Sequence, residues 1–214
     1  MKSKETLCKK QNTKGRETIV IVSGLPRSGT SMMMKMLEAG GLHTFTDNIR
    51  VPDEDNPKGY YEFERVKQLD KENAWLSEAK GKVVKVISML LKHLPPDYAY
   101  KVIFMLRDMK EVLASQQEML IRRGKPGAQA SPEEMANYYR LHLQKVEGWL
   151  AQQPNFDVLY VHYNEVLQNY HAYSKRINAF LGGNLNVDNM AGNIDHTLYR
   201  QRKVHELSQQ THTQ

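Results

Sequence analysis

Apolar positions fall in short blocks separated by longer mixed stretches. Thr18 to Ser23 (TIVIVS) is a β-branched run without polar alternation, the pattern of a strand buried on both faces. Lys82–Ile87 (KVVKVI), Lys101–Leu106 (KVIFML) and Asp157–His162 (DVLYVH) have the same character. Between these runs the spacing turns helical. It predicts helices over Ser31–Ala39, stopped by Gly40-Gly41, over Val66–Ala79, and from Asp108 to about Arg122. Ser131-Pro132-Glu133-Glu134 supplies a cap serine, a proline at the first helical position and a glutamate three residues after the serine. That helix should run to about Gln152, and a last one over Asn164–Leu181 should close at Gly182-Gly183. The stretch 46–64 is acidic and turn-rich, 124–131 (GKPGAQAS) reads as a loop, and no internal repeat is present. Strands alternating with helices predict an α/β fold of three layers, a central, mostly parallel sheet with helices on both faces. Ligands on such sheets bind at the carboxyl ends of the strands, so the residues just after each strand are the ones to inspect.

Composition narrows the picture. The chain has 214 residues, 40% hydrophobic and 25% charged, enough for one domain with a full core. No apolar run is long enough to span a membrane, and the polar start lacks the apolar stretch of a secretory signal. The single cysteine, Cys8, excludes a disulfide framework and any zinc site needing two cysteines, and fits a reducing, cytoplasmic compartment. The net charge of +6 is unevenly placed. Lys2, Lys4, Lys9, Lys10, Lys14 and Arg16 face only Glu5 in the first sixteen residues, so the rest of the chain is close to neutral. Residues 1–16 are expected to be a disordered basic tail, and 17–214 a single domain. A neutral body is not the broad basic surface of a nucleic-acid binder.

After the first strand comes Gly24-Leu25-Pro26-Arg27-Ser28-Gly29-Thr30-Ser31. Glycines let several backbone N–H groups converge on one anion, and the following helix adds the positive end of its dipole. Arg27 adds a charge, while Ser28, Thr30 and Ser31 add hydroxyls. The loop is not the G-x-x-x-x-G-K-[ST] pattern of nucleoside triphosphatases, because Thr30 stands where lysine belongs. The third strand ends in Arg107-Asp108 rather than in an aspartate suited to magnesium. A nucleotide or small-molecule kinase with a variant phosphate loop is therefore the alternative reading and not the first. Arg107 lies at the ligand edge, with Ser115 eight residues on (RDMKEVLAS). Continuous helix would put Ser115 about 12 Å farther along, so the two share a phosphate only if the chain folds back or the helix starts late.

Together these motifs resemble the sulfotransferases that use 3′-phosphoadenosine-5′-phosphosulfate (PAPS). GLPRSGTS at 24–31 is similar to the family's 5′-phosphosulfate loop, and RDMKEVLAS at 107–115 to its 3′-phosphate motif. Val83-Val84-Lys85, Leu94-Pro95-Pro96 and Lys101-Val102-Ile103 keep the family's order. Asn56-Pro57-Lys58-Gly59-Tyr60-Tyr61-Glu62 and Leu198-Tyr199-Arg200 are similar to segments of small bacterial members. The resemblance implies a P-loop-like sulfotransferase fold, PAPS as cosubstrate, adenosine 3′,5′-bisphosphate as product and no required metal. By matching position, Arg27, Ser28, Gly29, Thr30 and Ser31 would hold the phosphosulfate, and Arg107 and Ser115 the 3′-phosphate. Arg200 and Arg202, with Lys203, match a late basic cluster that closes over that phosphate, or form a solvated helix face.

The chain also departs from the pattern. Arg27 replaces the usual lysine, keeping the charge while adding a fork and losing a proton donor. Ile87 stands where cytosolic members carry a catalytic histidine, so the base must come from elsewhere. Glu62 is the leading candidate, ahead of His43 and His93, with Lys85 and Arg27 stabilising the leaving group. Met32, Met33, Met34 and Met36 read as core or pocket lining. The acceptor would be a hydroxyl or amine of a small molecule, a carbohydrate or another compound, which the residues do not specify. The chain is short for the family, implying a pocket that is open, completed by a second copy in a homo-oligomer, or suited to a large acceptor.

Overall fold

The computed structural model describes residues 18–47, 49, 59–124 and 131–193. The basic tail, Asn56–Lys58, residues 125–130, and the late segment with Arg200, Arg202 and Lys203 lie outside the described residues. Strands β1 (Thr18–Gly24), β2 (Val83–Lys85), β3 (Ala99–Leu106) and β4 (Phe156–His162) form one parallel sheet in the order β2-β1-β3-β4. The α-helices are α1 (Thr30–Ala39), α2 (Met109–Arg122), α3 (Pro132–Leu150), α4 (Tyr163–Gln168), α5 (Tyr170–Leu181) and α6 (Val187–Gly192), and 3₁₀ turns cover Glu64–Gln68, Ala74–Ser77 and Ser88–His93. The α/β class and the parallel sheet are those expected from the alternation of strand and helix.

Both faces of β1 are buried by alternating side chains. Ile19 and Ile21 join a cluster with Trp75, Val84, Tyr100, Val102 and Phe104. Val20 and Val22 point the other way, into Met33, Met34, Met36 and Leu37 of α1, Ile103, Met105 and Ile177. The methionines are thus core, as their unbranched side chains suit. The register pairs Val22 with Lys85 and Gly24 with Met105, and so brings the residues after β1, β2 and β3 to one edge. The outer side of β2 is covered by the 43–45 segment, through Val83 N to His43 O and Phe45 N to Val83 O. No described helix is long and apolar enough to cross a membrane.

Three elements differ from expectation. Val66–Ala79 is two short 3₁₀ turns, Glu64–Gln68 and Ala74–Ser77, and not one helix. Val66 and Trp75 are buried in one cluster, yet nine residues of continuous helix would set them about half a turn apart, so a single helix could not turn both into it. The last long helix divides into α4 and α5 at Asn169 (φ −132°, ψ 47°), a residue type whose side chain competes for backbone partners. The short α6, capped by Asn186, comes after Gly182-Gly183, where the sequence pattern predicts no helix. The capping box at Ser131 forms as expected: Glu134 N donates to Ser131 Oγ and Ser131 N to Glu134 Oε2.

Phe63 packs edge-on against Phe45 at 4.7 Å and Trp75 at 5.0 Å. This aromatic knot anchors the chain directly after Glu62. Trp75→Ala should destabilise the fold by about 3–5 kcal/mol, the usual cost of emptying a buried tryptophan site, as measured by urea unfolding.

Candidate functional site

The loop after β1 is built from backbone that few residues adopt. Gly24 (φ 146°), Arg27 (φ 71°) and Gly29 (φ 98°) all have positive φ. At Gly24 a Cβ would lie 2.5 Å from Ser28 Oγ and 2.6 Å from Met105 O, so β3 and the loop close only on glycine. Leu25 is buried against Val112 of α2 and Tyr139 of α3, and pins the loop from below. Ser28, 1% exposed, closes the turn, its N–H and hydroxyl both donating to Leu25 O at 3.2 and 2.7 Å. Gly29 precedes α1, whose first turn has no side-chain cap and no acid. Helices α2, α3 and α6 by contrast are capped by Asp108, Ser131 and Asn186. An uncapped first turn opening from a glycine loop offers its N–H groups to an anion. Thr30 and Ser31 stand in that turn, both part-buried.

Arg107 comes directly after β3 and reaches back to the same loop. Its Nη1 donates to Arg27 O at 3.0 Å, its Nε donates to Glu111 Oε2 at 2.8 Å, and its guanidinium lies 4.4 Å from the Tyr163 ring centre. Glu111 Oε1 accepts from Asn164 Nδ2 at 3.0 Å. Burial raises the Tyr163 hydroxyl above its ordinary range, opposed by the Arg107 charge. Ser115 is two turns along α2, as the spacing required, yet the two residues of the motif meet through a third. Arg27 Nε donates to Ser115 Oγ at 2.9 Å while its carbonyl accepts from Arg107. The phosphate loop lies along α2, and this brings residues 27, 107 and 115 together.

Lys85 and Glu62 form a neighbouring group. Lys85 Nζ donates to Tyr60 O and, at 3.3 Å, to Ser31 Oγ, and lies 3.7 Å from Glu62 Oε1. Ser31 Oγ also donates to Tyr60 O at 3.4 Å, so the strap carrying Glu62 is docked on the first turn of α1. Thr46 Oγ1 to Glu62 O (2.8 Å) and Tyr61 OH to Glu38 Oε2 (2.6 Å) hold the strap from either side. The Lys85 side chain is 8% exposed and that of Glu62 24%, so the carboxylate is the accessible member of the pair. His43 is exposed, with its carbonyl spent on Val83 N. Among the described residues no group of three or more His, Cys, Asp or Glu could hold a metal ion.

Sequence reasoning missed Glu111, Tyr163 and Asn164. Glu111 had a signal, since it stands four residues after Arg107 at the start of a helix. Tyr163 and Asn164 had none, because Tyr163 meets Arg107 and Asn164 meets Glu111 only through the pairing of β3 with β4.

A family model described as a sulfotransferase domain matches residues 17–214. Among solved structures, mouse sulfotransferase SULT7A1 complexed with PAP is similar at 17% identity and a TM-score of 0.50, over 83% of this chain and 63% of that one. Retinol dehydratase in a complex with retinol and PAP is similar at 17% identity and a TM-score of 0.51, over 87% and 67% of the two chains. A sulfotransferase from Alicyclobacillus acidocaldarius is similar at 15% identity and a TM-score of 0.50, over 88% and 90%. The chain thus spans less than two thirds of the mouse enzyme but most of the bacterial one. No curated protein sequence matches it. The solved structures establish a common fold.

The loop geometry itself is testable. A Cβ on Gly29 would lie 2.4 Å from the Tyr163 ring, whereas Gly148 in α3 has open space. Gly29→Ala should lose about 2 kcal/mol or more from a left-handed backbone and a ring clash, while Gly148→Ala should gain up to about 1 kcal/mol. Urea unfolding of the two variants reads the difference.

Proposed function

Because the chain belongs to the sulfotransferase family, we propose that it transfers the sulfuryl group of PAPS to a hydroxyl or amine acceptor. One observation carries this reading: Arg27 of the glycine loop is bonded both to Ser115 and to Arg107, so two anion-binding motifs eighty residues apart share one edge of the sheet. A ligand with phosphates at both ends of a nucleoside suits that pair better than a single phosphate does.

In the proposed reaction the N–H groups of the α1 first turn, with Arg27, Ser28, Gly29, Thr30 and Ser31, hold the 5′-phosphosulfate. Arg107 and Ser115 hold the 3′-phosphate. Arg200 and Arg202 are proposed to close over it. The acceptor oxygen or nitrogen attacks sulfur in line, the bond from sulfur to the 5′-phosphate oxygen breaks, and adenosine 3′,5′-bisphosphate leaves with the electron pair. Positioning and charge stabilisation do most of this work. Lys85, beside Ser31 and Glu62, would neutralise the leaving oxygen together with Arg27 and the helix end. Glu62, the more exposed partner of Lys85, takes the acceptor's proton. The family's activity needs no metal ion in this scheme. The acceptor class is open, small molecule and carbohydrate both fitting the chemistry.

Adenosine 3′,5′-bisphosphate should raise the Tm of the protein without magnesium, and Arg107→Ala should abolish the shift. Stabilisation only by ATP with magnesium would favour the kinase reading instead. Glu62→Gln should retain nucleotide affinity and lose about 10²-fold or more in turnover with labelled PAPS and a responsive acceptor. Unchanged turnover would remove Glu62 from the role of base.

A further inference from the structure

We propose that Glu111 is the positioning residue of the 3′-phosphate site, acting through Arg107 and itself held by Asn164. The proposal rests on the reading of Arg107 as a nucleotide phosphate ligand. A guanidinium presents its N–H groups in one plane, so where it points is set by what anchors that plane. The Tyr163 ring at 4.4 Å fixes the plane of Arg107. Glu111 Oε2 on Nε and Arg27 O on Nη1, at 2.8 and 3.0 Å, fix its rotation within that plane. Glu111 is in turn held at both oxygens, the second by Asn164 Nδ2 at 3.0 Å. Its backbone is fixed as well, because Asp108 caps α2 through Lys110 N and Glu111 N. Arg107 and Glu111 side chains are only 8% and 7% exposed. A pair buried so deeply gains little stability over an apolar pair of the same shape, and what it adds is direction.

Position and charge predict opposite outcomes. As a charge alone, Glu111 repels an incoming phosphate, and its removal should tighten binding. As the anchor of Arg107, its removal should weaken binding, and only for ligands carrying the 3′-phosphate. The experiment is calorimetric titration of the full chain with adenosine 3′,5′-bisphosphate and with adenosine 5′-monophosphate. Glu111→Gln is expected to weaken the bisphosphate by about tenfold or more, the scale of a charge-assisted hydrogen bond, and to leave the monophosphate little changed. The substitution sets an amide N–H against one of two donors, Arg107 Nε or Asn164 Nδ2. Adding Asn164→Asp supplies an acceptor, letting the new amide carbonyl face Arg107 while its NH₂ faces the new carboxylate. The double variant should therefore recover most of the lost affinity.

Equal or tighter bisphosphate binding by Glu111→Gln overturns the proposal, as does an equal loss for both nucleotides or no recovery in the double variant. A wild-type protein that does not bind the bisphosphate overturns the functional reading and this proposal with it; a wild type that binds beside an unaffected variant overturns the positioning role alone. Should Glu111→Gln fail to fold, Asn164→Ala decides the matter. It frees one carboxylate oxygen only, and is expected to weaken the bisphosphate by about threefold with no effect on the monophosphate. An unchanged ratio of the two affinities would count against the role.

Discussion

A guanidinium buried at the end of a strand must find partners for its N–H groups, and the way Arg107 finds them organises this molecule. It draws on three elements at once: the phosphate loop through Arg27 O, α2 through Glu111, and the start of α4 through the Tyr163 ring. The loop after β1 therefore does not stand alone as a flexible turn. It is tied to the residues just past the ends of β3 and β4, and its shape depends on the register that brings Gly24 opposite Met105 and Leu106 opposite His162. The same tie accounts for Gly29, whose missing Cβ makes room for the ring that stacks on Arg107.

On the other side of the loop a second tie forms around Lys85. Its ammonium gathers Ser31, Tyr60 O and Glu62, and so fastens the strap after Gly59 to the first turn of α1. The two groups meet in the loop, with Arg27 in the first and Ser31 in the second. They divide the work expected of a donor-binding site. The Arg107 group is deeply buried and held by several protein partners, which suits fixed recognition of one end of a ligand. The Lys85 group ends in a carboxylate that is a quarter exposed, which suits a step that must receive a changing acceptor.

How far all this could be read from the sequence depends on the range of each interaction. The strands of β-branched residues, the glycine loop and the capping box at Ser131 were legible because each is decided within a few residues. Val66–Ala79 was misread because its helical spacing is real, but burial of Trp75 on the far side of the same segment overrides it. Asn169 breaks a helix that its neighbours favour, and the hydrophobic pattern carries no mark of the break. In the site, the loop and Arg107 could be picked out by their place after strands. Their meeting could not, since the Arg27–Ser115 bond spans 88 residues and exists only because the loop packs along α2. Glu111 lay between the two outcomes: visible as a partner four residues from Arg107, but invisible as a group supported by Asn164.

The arginine at position 27 can be understood from this arrangement. A lysine there could still accept from Arg107 through its carbonyl, because that contact uses only backbone. Its ammonium could reach Ser115 or a phosphate as a point charge. An arginine donates Nε to Ser115 and presents its charge as a planar fork. That bond ties the Arg27 side chain to α2, whereas Lys85 stands beside Ser31 and Glu62. The replacement thus keeps the loop's own charge at the proposed phosphosulfate site while tying it to α2, beside the charge that Lys85 supplies from the end of β2. With a buried lysine already paired to an accessible carboxylate at that point, the absence of a histidine at position 87 leaves no gap in the proposed chemistry: the cation and the proposed base stand as one pair, 3.7 Å apart.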